Sequence, residues 1–322
     1  MGARPARPVE AEPGSLPREV ARIPLPGVVG RIDHLAIDLP GSRLFVAALE
    51  NGTVEVIDLE RNRRVAHLEG FREPQGIAYL ETLRKLFVTN GEGAGVTVLE
   101  GHDLARSASI GVRVDPDNVR YEPGADLLWV GEGGSGSGAL AALNPRSGDV
   151  VAEVALDGHP ESFQLEASGS RVFVNVPAEH EVTVVDRAQR RVAARWKVPL
   201  GGNFPMALDE AHRRLFVGCR RPPKLLVLDT STGTPVAELD APADADDIFL
   251  DPARGRVYVS GGEGFTRVYA RGEADRFSVI GDLRTGPGAR TSLFVPESQR
   301  LYVPVPRRGS ASAEVLVFET KQ

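Results

Sequence analysis

The residues best suited to chemistry in this sequence are acids that stand directly before short apolar stretches. In "GRIDHLAID", Asp33 and His34 precede the apolar run, and Glu161 and the pair Asp246 and Asp247 stand before similar runs further on. Carboxylate oxygens are ligands that Ca²⁺ and Mg²⁺ prefer, and an imidazole beside a carboxylate can hold or transfer a proton. These groups can act together only if the fold brings them to one place.

Seven similar segments set the positions of these acids in the chain. Each segment, such as "SRLFVA" or "RKLFVT", holds an aromatic residue, and successive aromatics lie 42 to 44 residues apart. A polar loop and two further β-rich segments follow, as in "VEVIDL" and "RRVAHLEG". This period, with four short strands per unit, predicts an all-β fold: a seven-bladed β-propeller with four antiparallel strands per blade. The aromatics are Phe45, Phe87, Trp129, Phe173, Phe216, Tyr258 and Tyr302.

The residues that begin the first strand of each repeat are expected to surround the axial channel of the propeller. They stand eleven and twelve positions before each aromatic and form two rings: His34, Gly76, Asn118, Ser162, Pro205, Asp247 and Thr291, with Asp33, Gln75, Asp117, Glu161, Phe204, Asp246 and Arg290. From these rings and the adjoining loops we predict a ligand-binding set, with no catalytic residue assigned. The set is Asp33, His34, Gln75, Asn118, His159, Glu161, Asn203, Arg220, Asp247 and Arg290.

So many acids in a channel with little water need charge compensation, because like charges raise one another's pKa. We expect Arg290 to supply it from within the ring, and Arg120 to pair with Glu161 of the next blade. A fully hydrogen-bonded structural network is one interpretation of the ring, and a metal site is another. The sequence has no cysteine pair or close histidine pair for zinc, so Ca²⁺ or Mg²⁺ is the cation indicated. Its ligands would be Asp33, Asn118, Glu161 and Asp246.

The last repeat lacks a fourth strand, because the chain stops soon after its third. The N-terminal segment "REVARIPLPG", at residues 18–27, matches the fourth-strand pattern of the other repeats. We predict that it pairs with the segment at residues 315–318 and closes the ring, which removes exposed sheet edges. Residues 1–17 would then form a disordered arm, and residues 18–322 a single propeller domain.

The repeat "KLFVTNGEGAGVTVLEG" and its partners resemble the YVTN repeat of the YncE-like seven-bladed propellers. The resemblance extends over nearly all of residues 18–322. It implies binding of a ligand or a protein, as in related propellers, or lactonase or lyase activity, as in a minority of them. Because members are commonly exported bacterial proteins, it also implies a periplasmic or secreted location, with the cytoplasm as the alternative.

Composition narrows the classes of partner. The chain of 322 residues has a net charge of −6, which argues against a nucleic-acid surface. No stretch approaches the roughly 18 apolar residues of a membrane-spanning helix, and the start "MGARPARPVEAEPGSLPRE" lacks the apolar run of a secretory signal. The single cysteine, Cys219, excludes an internal disulfide. We expect a monomer that binds a small molecule or a protein on its axial face.

Two function classes therefore stay open. The first is a binding propeller whose polar axial face holds a small ligand, an ion or a protein partner. The second is a metal-dependent hydrolase or lyase of the lactonase kind, in which a divalent cation polarises the ester carbonyl and a carboxylate or histidine moves the proton. Bound Ca²⁺ or Mg²⁺ on Asp33, Asn118, Glu161 or Asp246 would favour the second class, whereas an arginine-bridged channel with no room for a ligand would argue against it.

Overall fold

The computed structural model describes residues 16–93, 95–134 and 136–321, and these residues form seven sheets of four antiparallel strands. Each sheet uses strands that are neighbours in sequence, apart from the one that joins the two ends of the chain. The predicted seven-bladed propeller is therefore confirmed. The described residues also include one helical element, the 3₁₀ turn Pro177–Glu179.

Four layers of strands run from the axis to the rim. The innermost strands are β2 (Leu35–Asp38), β6 (Pro74–Leu80), β10 (Val119–Glu122), β14 (Phe163–Leu165), β18 (Gly201–Asp209), β22 (Ala245–Asp251) and β26 (Leu293–Val295). The second strands are β3 (Arg43–Ala48), β7 (Lys85–Asn90), β11 (Leu127–Glu132), β15 (Arg171–Val176), β19 (Arg214–Arg221), β23 (Arg256–Gly261) and β27 (Arg300–Val305).

The outer two layers complete each blade. The third strands are β4 (Thr53–Asp58), β8 (Gly95–Glu100), β12 (Gly138–Leu143), β16 (Glu181–Asp186), β20 (Pro223–Asp229), β24 (Phe265–Arg271) and β28 (Ala313–Glu319). The outermost are β5 (Arg63–Glu69), β9 (Ala105–Ile110), β13 (Val150–Leu156), β17 (Arg191–Lys197), β21 (Pro235–Asp240), β25 (Phe277–Arg284) and β1 (Arg18–Leu25).

The ring closes as the sequence predicts. Strand β1 pairs antiparallel with β28, from Arg18 opposite Glu319 to Leu25 opposite Ala313. Ile23 and Leu25 of this strand are fully buried in a cluster that also contains residues of the first blade. The closing strand therefore joins the last blade to the first. The predicted disordered arm falls almost entirely on residues 1–15, which lie outside the described residues.

Burial follows the position of each strand in its blade. Strands of the second and third layers are covered on both faces by neighbouring blades, so nearly every residue of "RLFVAA" and "TVEVID" is buried. The outermost strand "RRVAHLE" alternates exposed and half-buried residues, as expected for an edge with one covered face.

The core lies between the blades. Phe45 of the first blade, for example, packs in one cluster with Ile77 of the second. The apolar column that follows the two polar rings by one or two positions is buried throughout: Leu35, Ile77, Val119, Phe163, Met206 and Ile248. This burial fixes the register of the innermost strands and hence the place of the polar residues that precede them.

The closing strand generates a test of the architecture. A chain that begins at Gly27 should be less stable than one that begins at Leu16 by about 3 to 6 kcal/mol, because it loses two fully buried aliphatic side chains, Ile23 and Leu25. Urea denaturation of the two chains measures the difference. Equal free energies of unfolding would contradict a closing role for β1.

Candidate functional site

A polar cavity of about 160 Å³ lies where the innermost strands begin, and residues from six of the seven blades line it. Its acidic and amide side chains are Gln75, Asp115, Asp117, Asn118, Glu161 and Asp246. The other lining residues are Arg31, His34, His159, Ser162, Phe204 and Arg220. Of the predicted ligand-binding residues, the structure brings His34, Gln75, Asn118, His159, Glu161 and Arg220 together at this cavity.

The backbone holds three of the acids at equivalent places. The N–H of Asp33 donates to the carbonyl of Ala47 at 2.7 Å, and the Ala47 N–H donates back to His34 at 3.0 Å. The same exchange of hydrogen bonds with the second strand anchors Asp117 and Glu161 in their own blades. Each acid is therefore the residue at which the sheet reaches the axis, which explains its position before an apolar run.

Asp33 and His34 form a buried ion pair beneath the cavity. Asp33 is fully buried, with Arg31 Nη2 at 2.7 Å from Oδ2 and His34 Nδ1 in contact with Oδ1. Burial opposes ionisation of Asp33, but His34 and Arg31 outweigh it and lower its pKa to about 2. Burial likewise opposes protonation of His34, but Asp33 and Asp247 outweigh it and raise its pKa to about 10. The pair is thus charged at neutral pH.

Two arginines meet at Asp246 on another side of the cavity. Arg220 Nη2 lies 2.5 Å from Asp246 Oδ1, and Arg31 Nη2 lies 3.4 Å from Oδ2. Arg220 also donates through Nε to the Ala245 carbonyl at 3.0 Å, and its guanidinium carbon lies 3.7 Å from the centroid of the Phe204 ring. These contacts fix the guanidinium groups in place, with Arg220 stacked on an aromatic face.

Asp117 and Glu161 form no ion pair with an arginine among the described residues. Burial, followed by the charge of Glu161, raises the pKa of Asp117 to about 8. Burial, followed by the charge of Asp246, raises the pKa of Glu161 to about 7, although the charges of Arg220 and Arg31 and a hydrogen bond from Asp117 oppose that rise. The two carboxyl groups therefore share a proton near neutral pH and titrate as a pair. The cavity offers a hydrogen-bond donor and a carboxylate at the same spot.

One acceptor in the cavity lacks a partner. Asn118 is only 3% exposed, and its side-chain oxygen Oδ1 makes no hydrogen bond with any of the residues that the structure describes. A buried amide oxygen without a donor is costly, by about 1 to 3 kcal/mol. Asn118 lines the cavity, but Oδ1 itself is almost completely covered by surrounding atoms, so a donor group in the cavity would reach it only after the amide side chain rotates.

Four predicted ligand-binding residues do not line the polar cavity. Asp33 lies beneath it, and Asp247 accepts the Ser292 N–H at 2.8 Å and borders a second cavity instead. Asn203 is buried and links neighbouring strands, donating to the Glu181 carbonyl at 2.8 Å. Arg290 pairs at 2.9 Å with Asp244, which is not one of the ring acids.

Both expected compensators are wrong in detail. Arg290 neutralises an acid in a neighbouring loop, as described above. Arg120 makes no ion pair with Glu161; it donates to its neighbour's carbonyl, Val119 O, at 3.1 Å, and borders the second cavity. The Arg120 side chain is instead directed toward the second cavity, with its guanidinium 5.8 Å from the centroid of the Phe163 ring.

The compensation comes from two residues outside the rings. Arg220 was predicted as a ligand-binding residue in a loop, but not as the partner of Asp246. Arg31 was missed, and so was Asp115, which accepts a hydrogen bond from Gln75 at 3.1 Å. Both missed residues stand two positions before a ring acid, at positions 31 and 115. A scan for charge at that offset would have found them.

The predicted metal ligands are only partly brought together. Asn118, Glu161 and Asp246 line the cavity, whereas Asp33 is engaged by Arg31 and His34. Across residues 16–93, 95–134 and 136–321, no group of three or more His, Cys, Asp or Glu side chains is placed to hold a metal ion. In the same ranges no helix is long and apolar enough to cross a membrane.

Comparison with known proteins supports the fold alone. No family model and no curated protein sequence matches the chain. A chain in the crystal structure of a mitotic checkpoint complex is similar over 100% of this chain and 97% of its own, with a TM-score of 0.79 and 12% identity. U3-55K is similar over 94% of this chain and 99% of its own, with a TM-score of 0.76 and 13% identity. Hydrazine synthase of Kuenenia stuttgartiensis is similar over 85% of this chain and 92% of the matched chain, with a TM-score of 0.74 and 15% identity.

The shared proton predicts a dependence of stability on pH. Asp117 and Glu161 have ordinary pKa values of 3.8 and 4.5 once the chain unfolds, so between about pH 4 and pH 8 the folded state holds more protons. The free energy of unfolding therefore falls as pH rises through this range. Asp117→Asn removes one of the two ionisable groups. The free energy of unfolding of this variant, compared with that of the parent, should therefore be at least about 1 kcal/mol more favourable to the folded state at pH 9 than at pH 5.

Urea denaturation at the two pH values measures this gain. Glu60→Gln, a change of the same kind at an exposed position, is the control and should show no gain. A difference between Asp117→Asn and the parent that stays constant with pH would contradict the shared proton.

Proposed function

We propose that this protein is a binding propeller whose polar cavity takes a small acid that also carries hydroxyl groups. The observation that carries the proposal is the unpartnered Oδ1 of buried Asn118 in a cavity that Arg31 and Arg220 also line. A carboxylate on the ligand would receive charge-assisted hydrogen bonds from the two guanidinium groups. A ligand hydroxyl would donate to Asn118 and to the carboxylate of the Asp117–Glu161 pair.

The size and rigidity of the cavity support a small ligand. Its volume of about 160 Å³ suits a molecule of a few heavy atoms or the end group of a longer one. Arg220 is fixed by Phe204, Asp246 and the Ala245 carbonyl, so it loses little side-chain freedom when a ligand binds. The groups that recognise the ligand are thus organised before it arrives.

The fold and the repeats support a binding role in general. Propellers serve many functions, and a propeller of this shape occurs in a mitotic checkpoint complex, which favours protein binding as a further role for the fold. The resemblance to YncE-like propellers favours ligand binding in the periplasm, and keeps a metal-dependent lactonase as the alternative. For that alternative, Asn118 and Glu161 would supply oxygen ligands to Ca²⁺ or Mg²⁺.

Three matched probes test the proposal by titration calorimetry: glycerate, glycerol and propionate. Glycerate combines a carboxylate with hydroxyls, glycerol lacks the charge, and propionate lacks the hydroxyls. We expect glycerate to bind at least about tenfold more tightly than either, since glycerol loses charge-assisted hydrogen bonds worth about 1.5 kcal/mol or more and propionate loses the hydrogen bonds of two hydroxyls. Asn118→Ala should remove the advantage of glycerate over propionate.

Neighbouring arginines provide the control. Arg220→Gln should weaken glycerate binding about tenfold or more, whereas Arg221→Gln, an exposed residue that does not line the cavity, should leave it unchanged. Equal affinity of the parent for all three probes would contradict the proposal. Binding of Ca²⁺ by the parent, lost in Glu161→Gln, would favour the metal-dependent alternative instead.

A further inference from the structure

A second cavity, of about 350 Å³, lies further along the same axis. Aliphatic side chains form part of its wall, and the polar residues His34, Arg120, Gln164, Asp247 and Ser292 form the rest. Cavities of roughly 300 to 1,000 Å³ with apolar walls and few polar groups are typical of small-molecule sites. His34 borders both cavities, so the buried Asp33–His34 pair stands between them. The apolar wall includes Leu35, Ile77, Met206, Ile248, Leu250 and Leu293.

Position along the innermost strands distinguishes the two cavities. Asn118 and Phe204 line the polar cavity, and Arg120 and Met206, two positions later in the chain, line the second one. Asn118 precedes β10, and a bulge lies between Asn203 and Met206, so both residues of the polar cavity stand outside the regular part of the strand that follows. The innermost strands therefore carry polar residues at their start and mostly apolar residues one step deeper.

Arg120 is the one charged residue at its position in the repeat. The equivalent residues of the other blades are Ala36, Ala78, Gln164, Ala207, Phe249 and Leu293. Within the described residues its guanidinium makes no ion pair; it donates to the Val119 carbonyl at 3.1 Å and lies 5.8 Å from the centroid of the Phe163 ring. Burial lowers the pKa of Arg120, although the more distant charges of Asp247 and Asp117 oppose that effect.

The one carboxyl group in the wall of this cavity is engaged elsewhere. Asp247 accepts the backbone N–H of Ser292 at 2.8 Å, and its other oxygen lies 3.9 Å from His34 Nε2. Burial raises the pKa of Asp247 to about 7, so near neutral pH its negative charge is only partly present. Arg120 is thus a cation in the cavity wall with no carboxylate within ion-pair distance among the described residues.

We propose that the second cavity binds a small carboxylic acid with an apolar body. The carboxylate would receive hydrogen bonds from the Arg120 guanidinium, whose planar fork matches a carboxylate. The apolar body would pack against the aliphatic wall formed by residues such as Met206 and Ile248. This site is separate from the polar cavity and does not depend on the function proposed for it.

Three probes separate the two parts of the proposal: hexanoate, hexanamide and acetate, each titrated into the parent protein by calorimetry. We expect hexanoate to bind at least about tenfold more tightly than hexanamide, which has the same body without the charge. Hexanoate should also bind about tenfold or more tightly than acetate, because acetate lacks the methylene groups that the aliphatic part of the wall would cover. Equal binding of hexanoate and hexanamide would overturn the proposal.

Two variants locate the binding. Arg120→Met keeps an apolar stem at a position where other blades hold apolar residues, and it should make hexanoate bind no more tightly than hexanamide. Leu250→Trp fills the cavity at a half-buried position and should weaken both ligands together. A preference for hexanoate that persists in Arg120→Met would overturn the assignment of Arg120.

A crossed control keeps the two cavities distinct. Arg220→Gln alters the polar cavity and should leave hexanoate binding within about twofold of the parent, while Arg120→Met should leave glycerate binding equally unchanged. Loss of hexanoate binding in Arg220→Gln would place the acid in the polar cavity and overturn the proposal. Failure of glycerate to bind would count against the function of the polar cavity only.

Discussion

Seven sheets that close into a ring bring the first residues of their innermost strands to one axis. The pairing of β1 with β28 fixes this closure, and the apolar packing between blades fixes how far each innermost strand reaches inward. Any polar side chain at the start of such a strand is held near its counterparts from other blades and loses most of its water. A charged group in that position forms an ion pair, becomes neutral by gaining or losing a proton, or destabilises the folded state.

The buried acids near the axis are stabilised in three ways. Asp33 is held as an anion by His34 and Arg31, and Asp246 is bridged by Arg31 and Arg220. Asp117 and Glu161 have no arginine within ion-pair distance among the described residues and share a proton instead. The first of these places a buried charged pair beside both cavities, because His34 lines each of them. The other two leave donors and acceptors facing a cavity, which is the arrangement that a polar ligand needs.

The sequence predicts the fold well because its repeat is regular. Seven aromatic segments with a constant period give the number of blades, and the unfilled fourth strand of the last repeat points to the N-terminal segment. The same counting places Asp33, Asn118 and Glu161 at the axis. Counting positions does not predict which arginine pairs with which acid, because a long arginine side chain can reach residues of other layers and other blades. Counting therefore does not find Arg31, it assigns Arg120 to Glu161 wrongly, and it does not foresee that Arg290 pairs with Asp244.

The charge state of His34 tests most directly whether the axis is built on compensated buried charges. Nitrogen NMR of the histidine rings, with His34→Gln used to assign the signal, reports whether one or both ring nitrogens carry a proton. With a pKa raised to about 10 by Asp33 and Asp247 against the effect of burial, both nitrogens should stay protonated from pH 6 to about pH 9. A neutral His34 ring below pH 8 would contradict the account, because Asp33 would then lack its principal partner.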